Sequence, residues 1–276
     1  MIDDAKTRAA RTYNAAADHY DAPALGFWDR LGRRTVEHIS LQRGAAVLDA
    51  CCGTGASALP AAEAVGPSGR VLGVDLAENP VVLARAKAQR RGLLQTEFRV
   101  ADIEALDPSA EMFDVAICVF GIFFLPDMAA GVRCLWRLVR PGGQLAITTW
   151  GPRFVEPGGS AFWNAVRRER PDLYKGFNPW DKVCDRDGLT AVLLEGGVEV
   201  SDTETEASAQ PLESPEDFWT IVLGSGFRAT VDQLSPDERE RVRTATVNEL
   251  LEHDVRSVET NAVFGLARKP NSRGSR

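Results

Sequence analysis

Between residues 45 and 150, short β-rich runs alternate with helical stretches, and this alternation constrains the fold more than any other feature of the chain. The pattern predicts strands over 46–50, 71–75, 96–100, 113–120 and 144–150. Val115, Ala116, Ile117, Cys118 and Val119 form an unbroken apolar run, as expected of a strand covered on both faces. Helices are predicted over 56–65, 80–91 and 128–139. Asn79 reads as the N-cap of the second, Pro80 as its first helical residue and Gly92 as its stop. The third is expected to end at Arg140-Pro-Gly-Gly143, and the first to start near Ser57 or to kink at Pro60. Strand, helix, strand in repetition implies right-handed crossovers and a parallel, doubly wound α/β sheet.

The flanks read differently. Residues 5–40 look helical, with Tyr13, Ala17 and Tyr20 spaced to share a face. Residues 151–187 are irregular, rich in Pro, Gly and aromatics, with a helix at about 161–169. A helix over 187–195 ends at Gly196-Gly197, and strands are expected at 198–207 and 260–269, separated by a helical insertion at about 215–255. Such a terminal pair fits an antiparallel border on a parallel sheet, with the insertion over the active face. The expected division is an N-terminal helical cap (1–44), a ligand-binding core (45–150), the remaining sheet with substrate-cap insertions (151–270) and a disordered polar tail (271–276).

Composition narrows the partners. The 276 residues are 44% hydrophobic and 26% charged, the mix of a globular chain able to bury a sizeable core. A formal net charge of −7 works against a phosphate-tracking surface, so nucleic acid is not expected as a partner. The basic stretches Arg85 to Arg91 and Arg167 to Arg170 read as solvated helix faces. No apolar signal core follows Met1, and no uncharged run approaches the roughly 20 residues of a membrane span. Five cysteines with no CxxC pair point to neither a disulfide framework nor a metal site. The expected location is the cytoplasm. The oligomeric state is left open, a homodimer among the options.

The chemistry concentrates in Val47-Leu-Asp-Ala-Cys-Cys-Gly-Thr-Gly55, a strand running into a glycine turn and then a helix. In a doubly wound sheet, ligands sit at the carboxyl ends of the strands where their order reverses. Gly53 and Gly55 would let backbone approach a ligand closely, although Gly53-x-Gly55-x-x-Ala58 also satisfies a dinucleotide fingerprint. Asp49 separates the readings, because a carboxylate ahead of the turn repels a pyrophosphate and suits an ammonium or sulfonium. Asp75 ends the second strand, where an acid can accept both ribose hydroxyls of an adenosine. Asp102 closes the third and could accept from an adenine amino group. A nucleoside carrying positive charge uses all three.

Taken together, Leu48-Asp-x-Cys-Cys-Gly-Thr-Gly55, Gly73-Val-Asp-Leu76, Ala101-Asp-Ile103, Phe113-Asp-Val-Ala and Leu138-Val-Arg-Pro-Gly-Gly143 resemble class I S-adenosylmethionine-dependent methyltransferases. The likeness is nearest to the ubiquinone/menaquinone C-methyltransferase-like branch, strengthened by Tyr13-Asn-Ala-Ala-Ala-Asp-His-Tyr-Asp21 and Phe120-Gly-Ile-Phe-Phe-Leu-Pro-Asp127. It spans about residues 10–150. The resemblance implies a seven-stranded sheet with the last strand reversed and S-adenosylmethionine as cofactor. It also implies Asp49, Cys51, Gly53 and Gly55 on the methionine side, and Asp75 and Leu76 at ribose and adenine. Asp102 and Ile103 would flank adenine, Phe120 would lie near the methionine end, and Tyr20 would close over the cofactor. Cys51 replaces the first motif glycine, which is expected to require a negative φ there.

Methyl transfer from a sulfonium needs alignment in a dry pocket. The acceptor expected is a small, apolar or aromatic metabolite, with aromatic residues of the flanking segments available to hold the cation. Most of these rings are expected to pack the cap. His19 is the candidate base if the acceptor loses a proton. Vicinal Cys51 and Cys52, with Cys118 nearby, also fit a redox or arsenic-binding role, although packing is the plainer reading. Two alternatives stand beside methyl transfer: a non-methylating reaction such as cyclisation on the same scaffold, and an NAD-type oxidoreductase.

Overall fold

The computed structural model describes residues 4–109, 111–199 and 201–271. Helix α1 (Asp4–Ala16) passes through two 3-10 turns into α2 (Phe27–His38). The core then runs β1 (Ala46–Ala50), α3 (Ala58–Val65), β2 (Arg70–Asp75), α4 (Glu78–Arg90), β3 (Thr96–Val100), β4 (Phe113–Val119), α5 (Met128–Leu138) and β5 (Val139–Trp150). The remainder is α6 (Gly158–Glu169), α7 (Arg186–Glu195), β6 (Ser201–Glu206), β7 (Ala209–Pro211), α8 (Glu216–Leu223), α9 (Arg228–Val231), α10 (Pro236–Glu252), β8 (Ser257–Glu259) and β9 (Ala262–Arg268).

Seven strands form one sheet in the order β3-β2-β1-β4-β5-β9-β6. The last strand in sequence, β9, runs antiparallel to both neighbours, and the other pairings are parallel. The reversed strand lies one place in from the border, which is β6. Strand alternation decides the layers. Leu48, Leu72, Ala116 and Leu145 face one buried cluster with Leu135 of α5, while Val47, Val71, Val115 and Ala146 face another with α3 and α4. Each of these four strands is therefore apolar on both faces. The order reverses between β1 and β4, which opens a crevice at their carboxyl ends.

Helix ends follow local chemistry in several places. Asp127 and Asp185 accept from the amides of Ala130 and Gly188, both at 2.8 Å, and Ser235 with Glu238 forms a capping box on α10. The expected cap of α4 is corrected: the helix starts at Glu78 after Ala77, and Asn79 instead pairs with Asn14 of α1. Pro80 remains in the first turn, where its missing N–H has no helical partner to lose. Pro60 likewise falls in the first turn of α3, so no kink is needed. The stop expected at Arg140–Gly143 holds, since α5 ends at Leu138, but these residues also extend as the start of β5 with a register shift against β4. Lys87 is buried rather than solvated, paired with Asp21 and donating to Thr54. The small β7–β8 sheet was not foreseen. Apart from Asn271, the expected tail lies outside the described residues. No helix among the described residues is long and apolar enough to cross a membrane.

Two packing contacts fix the cap to the core. A side chain at Gly32 of α2 would lie 2.6 Å from the Ala56 backbone ahead of α3, so the helix approaches the glycine turn without a Cβ between. Helix α10 packs along α6, and Phe218 of α8 fills the space over Gly158. Gly32→Ala should therefore cost about 1–3 kcal/mol by overpacking against backbone that cannot swing away. Urea denaturation of the variant beside the parent chain measures this. Equal midpoints would mean that α2 moves freely on the core.

Candidate active site

The β1–α3 turn is built from left-handed residues. Gly53 and Gly55 take φ of +50° and +88°, and a side chain on Gly53 would meet nothing within 4 Å. Cys51 also has positive φ, +58°, so the negative φ expected of it is overturned. The strand must leave the sheet at this point, and the tight turn imposes its geometry on a non-glycine residue at a cost of about 1–2 kcal/mol. Phe120, at the end of β4, is left-handed as well, with φ +54°. Two such outliers flank one crevice, the kind of clustering that strained backbone shows at functional sites.

Asp75 ties the turn to the second strand. Its carboxylate accepts the Gly53 N–H at 2.9 Å and the Ala77 N–H at 2.8 Å. Burial raises its pKa, and these amides, with that of Leu76, pull it back. Asp49, two residues before Cys51, is buried under the turn. Ser57 Oγ donates to one oxygen at 2.8 Å, and the other has no hydrogen-bond partner. Burial pushes its pKa up to about 7, opposed by Ser57 and reinforced by the charge of Asp75.

Asp75 and Ser57 border a cavity enclosing about 940 Å³, its open mouth included. Asp75, Leu76, Cys51 and Gly53 line it from the core side. Phe120, Phe124, Trp28 and Tyr20 form an aromatic wall, and Tyr13 with Lys6 reaches in from α1. Phe120 stacks on Trp150 at 3.6 Å between centroids, Trp28 meets Phe120 edge-on at 5.6 Å, and Tyr20 stacks on Trp28 at 5.7 Å. Burial, together with nearby Tyr13 and Asp75, holds the Tyr20 hydroxyl well above its ordinary pKa, so it stays protonated.

The structure thus brings together Tyr20, Cys51, Gly53, Asp75, Leu76 and Phe120 of the residues expected at a site. Asp49 and Gly55 lie just beneath, in the floor. Asp102 and Ile103 do not line the cavity. Asp102 accepts from Lys6 Nζ at 2.8 Å and caps its own turn, while the Ile103 side chain is buried in the core. Helix α1 covers that end instead, with Lys6, Ala9 and Ala10. His19 is also off the cavity, in a 3-10 turn against Gly224, with its Nδ1 buried and unpartnered. Residues missed in the sequence include Lys6, Ser57 and Gly121. Ser57 carried a signal, lying two residues past the last turn glycine, and Gly121 lies inside the Phe120–Asp127 motif; Lys6 carried none.

A buried acid with raised pKa penalises the folded chain as pH climbs. Folded Asp49 holds its proton up to about 7, whereas the unfolded side chain releases it near 3.8, so stability is lost between those values. Asp49→Asn escapes that loss. Its stability advantage over the parent, measured by urea unfolding without added ligand, should widen by about 2–3 kcal/mol from pH 5 to pH 8. A constant difference would place Asp49 in water.

Comparison with known proteins gives the family. Residues 47–143 match the family model described as "Methyltransferase domain". The chain is 32% identical over 269 residues to nocamycin O-methyltransferase of Saccharothrix syringae, covering 87% of this chain and 90% of that one. It is 30% identical to the demethylmenaquinone methyltransferase of Anoxybacillus flavithermus over 142 residues, 50% of this chain and 60% of that one. Among solved structures, the [4+2]-cyclase SpnF shares the fold, with a TM-score of 0.53, 20% identity and coverage of 88% and 82%. With a full-length relative, a matching domain and the glycine turn between β1 and α3, the chain belongs to the class I S-adenosylmethionine-dependent methyltransferases.

Proposed function

We propose that the protein transfers the methyl group of S-adenosylmethionine to an oxygen of a small apolar or aromatic metabolite. The observation that carries this reading is the cavity itself, with the Asp75 carboxylate on its core side and aromatic rings on the other. The cofactor fits the residues present. Asp75 is pre-oriented by two backbone amides and keeps lone pairs for both ribose hydroxyls. The unpartnered oxygen of Asp49 and the clear space at Gly53 suit the cationic methionine end. Leu76 would pack on adenine. Lys6 holds Asp102, so recognition of the adenine amino group by Asp102 requires α1 to release it.

The oxygen acceptor follows from where likeness is found. The demethylmenaquinone relative matches half of the chain, whereas likeness to the nocamycin O-methyltransferase continues through most of its length, cap and insertion included. Loops and insertions grafted on a shared fold set the acceptor.

When bound, S-adenosylmethionine supplies an electrophilic methyl on a sulfonium. The protein's part is alignment and exclusion of water. Phe120, Trp28 and Tyr20 present ring faces that attract a cation and keep the cavity dry. No histidine lines the cavity among the described residues. The reading therefore favours an acceptor whose hydroxyl ionises readily, such as a phenol or enol, held in line without a dedicated base.

Calorimetric titration with S-adenosylmethionine tests the cofactor assignment, with at least a tenfold loss of affinity expected for Asp75→Ala. Unchanged affinity would remove Asp75 from the site. Incubation with labelled S-adenosylmethionine and a panel of phenols and enols should yield S-adenosylhomocysteine and a methyl ether. Turnover without S-adenosylhomocysteine would instead favour a cyclisation.

A further inference from the structure

Cys51 is a cysteine in a left-handed turn position that a glycine would occupy without strain. Its side chain is half-buried at the floor of the cavity, and Cys118, on the adjacent strand β4, is fully buried behind it. Ala50 and Cys118 are register partners, so Cys51 lies one residue further along the neighbouring strand. Strand spacing and rise place the two α-carbons roughly 6 Å apart. A disulfide spans about 4.4–6.8 Å between α-carbons. The side chains converge as well. A Cβ built on Gly121 would lie 2.8 Å from Cys51 Sγ and 2.9 Å from Cys118 Sγ, so both sulfurs crowd one glycine that leaves them room. Cys52 points elsewhere, its Sγ 3.0 Å from the matching position on Gly73.

We propose that Cys51 and Cys118 form a modification site, a dithiol that a peroxide converts to a disulfide in the floor of the cofactor cavity. The Cys51 thiolate attacks one peroxide oxygen, the O–O bond breaks, a sulfenic acid forms, and the departing hydroxide takes up the proton lost by the thiol to become water. Cys118 sulfur then attacks the Cys51 sulfur; the S–S bond forms, the S–O bond breaks, and hydroxide leaves with the Cys118 proton as water. Two thiols lose two electrons to one peroxide, which becomes two waters. The bridge draws Cys51 toward β4 and shifts the turn that carries Gly53, so the oxidised protein holds the cofactor less well. Conversely, a bound cofactor covers the face that Cys51 turns to the cavity. The contact with Cys118, together with burial, keeps the Cys51 thiol well above its ordinary pKa, so oxidation is slow at neutral pH and quickens as pH rises.

The full chain, freed of reductant, is treated with hydrogen peroxide and mapped by mass spectrometry of non-reduced peptides. A cross-linked peptide pair holding Cys51 and Cys118, two hydrogens lighter than its parts, is expected. Its yield should fall at least fivefold with saturating S-adenosylmethionine present. Calorimetry of the oxidised protein should show S-adenosylmethionine affinity reduced at least tenfold and restored by dithiothreitol. Cys51→Gly, which restores the motif glycine, and Cys118→Ala should each lack the cross-link and the peroxide sensitivity. A Cys51–Cys52 bridge, a Cys51 sulfinic acid with Cys118 untouched, or a disulfide that leaves affinity within twofold would overturn the proposal.

Discussion

The hydrogen bond from Gly53 N–H to the Asp75 carboxylate organises the site. It joins the turn after β1 to the end of β2, and the same carboxylate receives the Ala77 amide before α4. Two strand ends, one turn and one helix start thus share a single acceptor. Beneath it, Ser57 binds Asp49, which sets where α3 begins relative to β1. The left-handed residues of the turn follow from this arrangement. With its ends fixed by two carboxylates, the chain has few conformations left, and Cys51 is held in one that it would not choose alone.

The opposite side of the cavity is held by rings. Phe120, Trp150 and Phe154 stack in series, with centroid separations of 3.6 and 3.7 Å. The stack continues from the end of β4 across the end of β5 into the loop that follows. That loop contains Arg153 and Val155 at positive φ, pinned to the β8–β9 turn by an ion pair between Arg153 and Glu259 and by the Val155 N–H donating to the Glu259 carbonyl. Strand β8, which follows the insertion, therefore fixes the loop that places Phe154, and through it the wall that Phe120 presents. Changes there can reach the cavity without touching it, which is one route by which a shared core acquires different acceptors.

What the sequence made legible was what local physics controls. Four of the five core strands were readable because each is apolar on both faces, and β3, where only Phe98 is buried, from its place in the alternation; the first three carry acids at or just past their ends. What was not legible depended on partners far along the chain. Asn79 looks like a helix cap, but Asn14 takes it, and the helix starts on Ala77. Lys87 belongs to a basic stretch, yet Asp21 and Thr54 bury it. Asp102 stands where an adenine acceptor would, and Lys6, nearly a hundred residues earlier, occupies it. The sign of φ at Cys51 was misjudged because residue type argued one way and the pinned turn the other. In each case a tertiary contact overrode a local preference.

The pairing of Asp49 with Asp75 also bears on release. Both carboxylates are raised in pKa by burial, their charges oppose each other, and no basic side chain among the described residues pairs with either. Such a pair favours a cationic ligand over a neutral one of the same shape, since the ligand's charge offsets a repulsion present without it. S-adenosylhomocysteine differs from the cofactor by a methyl group and by the sulfonium charge. On the proposed reading, the part of that preference owed to the sulfonium is lost on transfer, while the ammonium charge and the groups offered to sugar and base are unchanged. On that reading, the electrostatics that would gather the cofactor would hold its product less tightly, and the aromatic wall would act in the same direction because ring faces attract the sulfonium more than the sulfide.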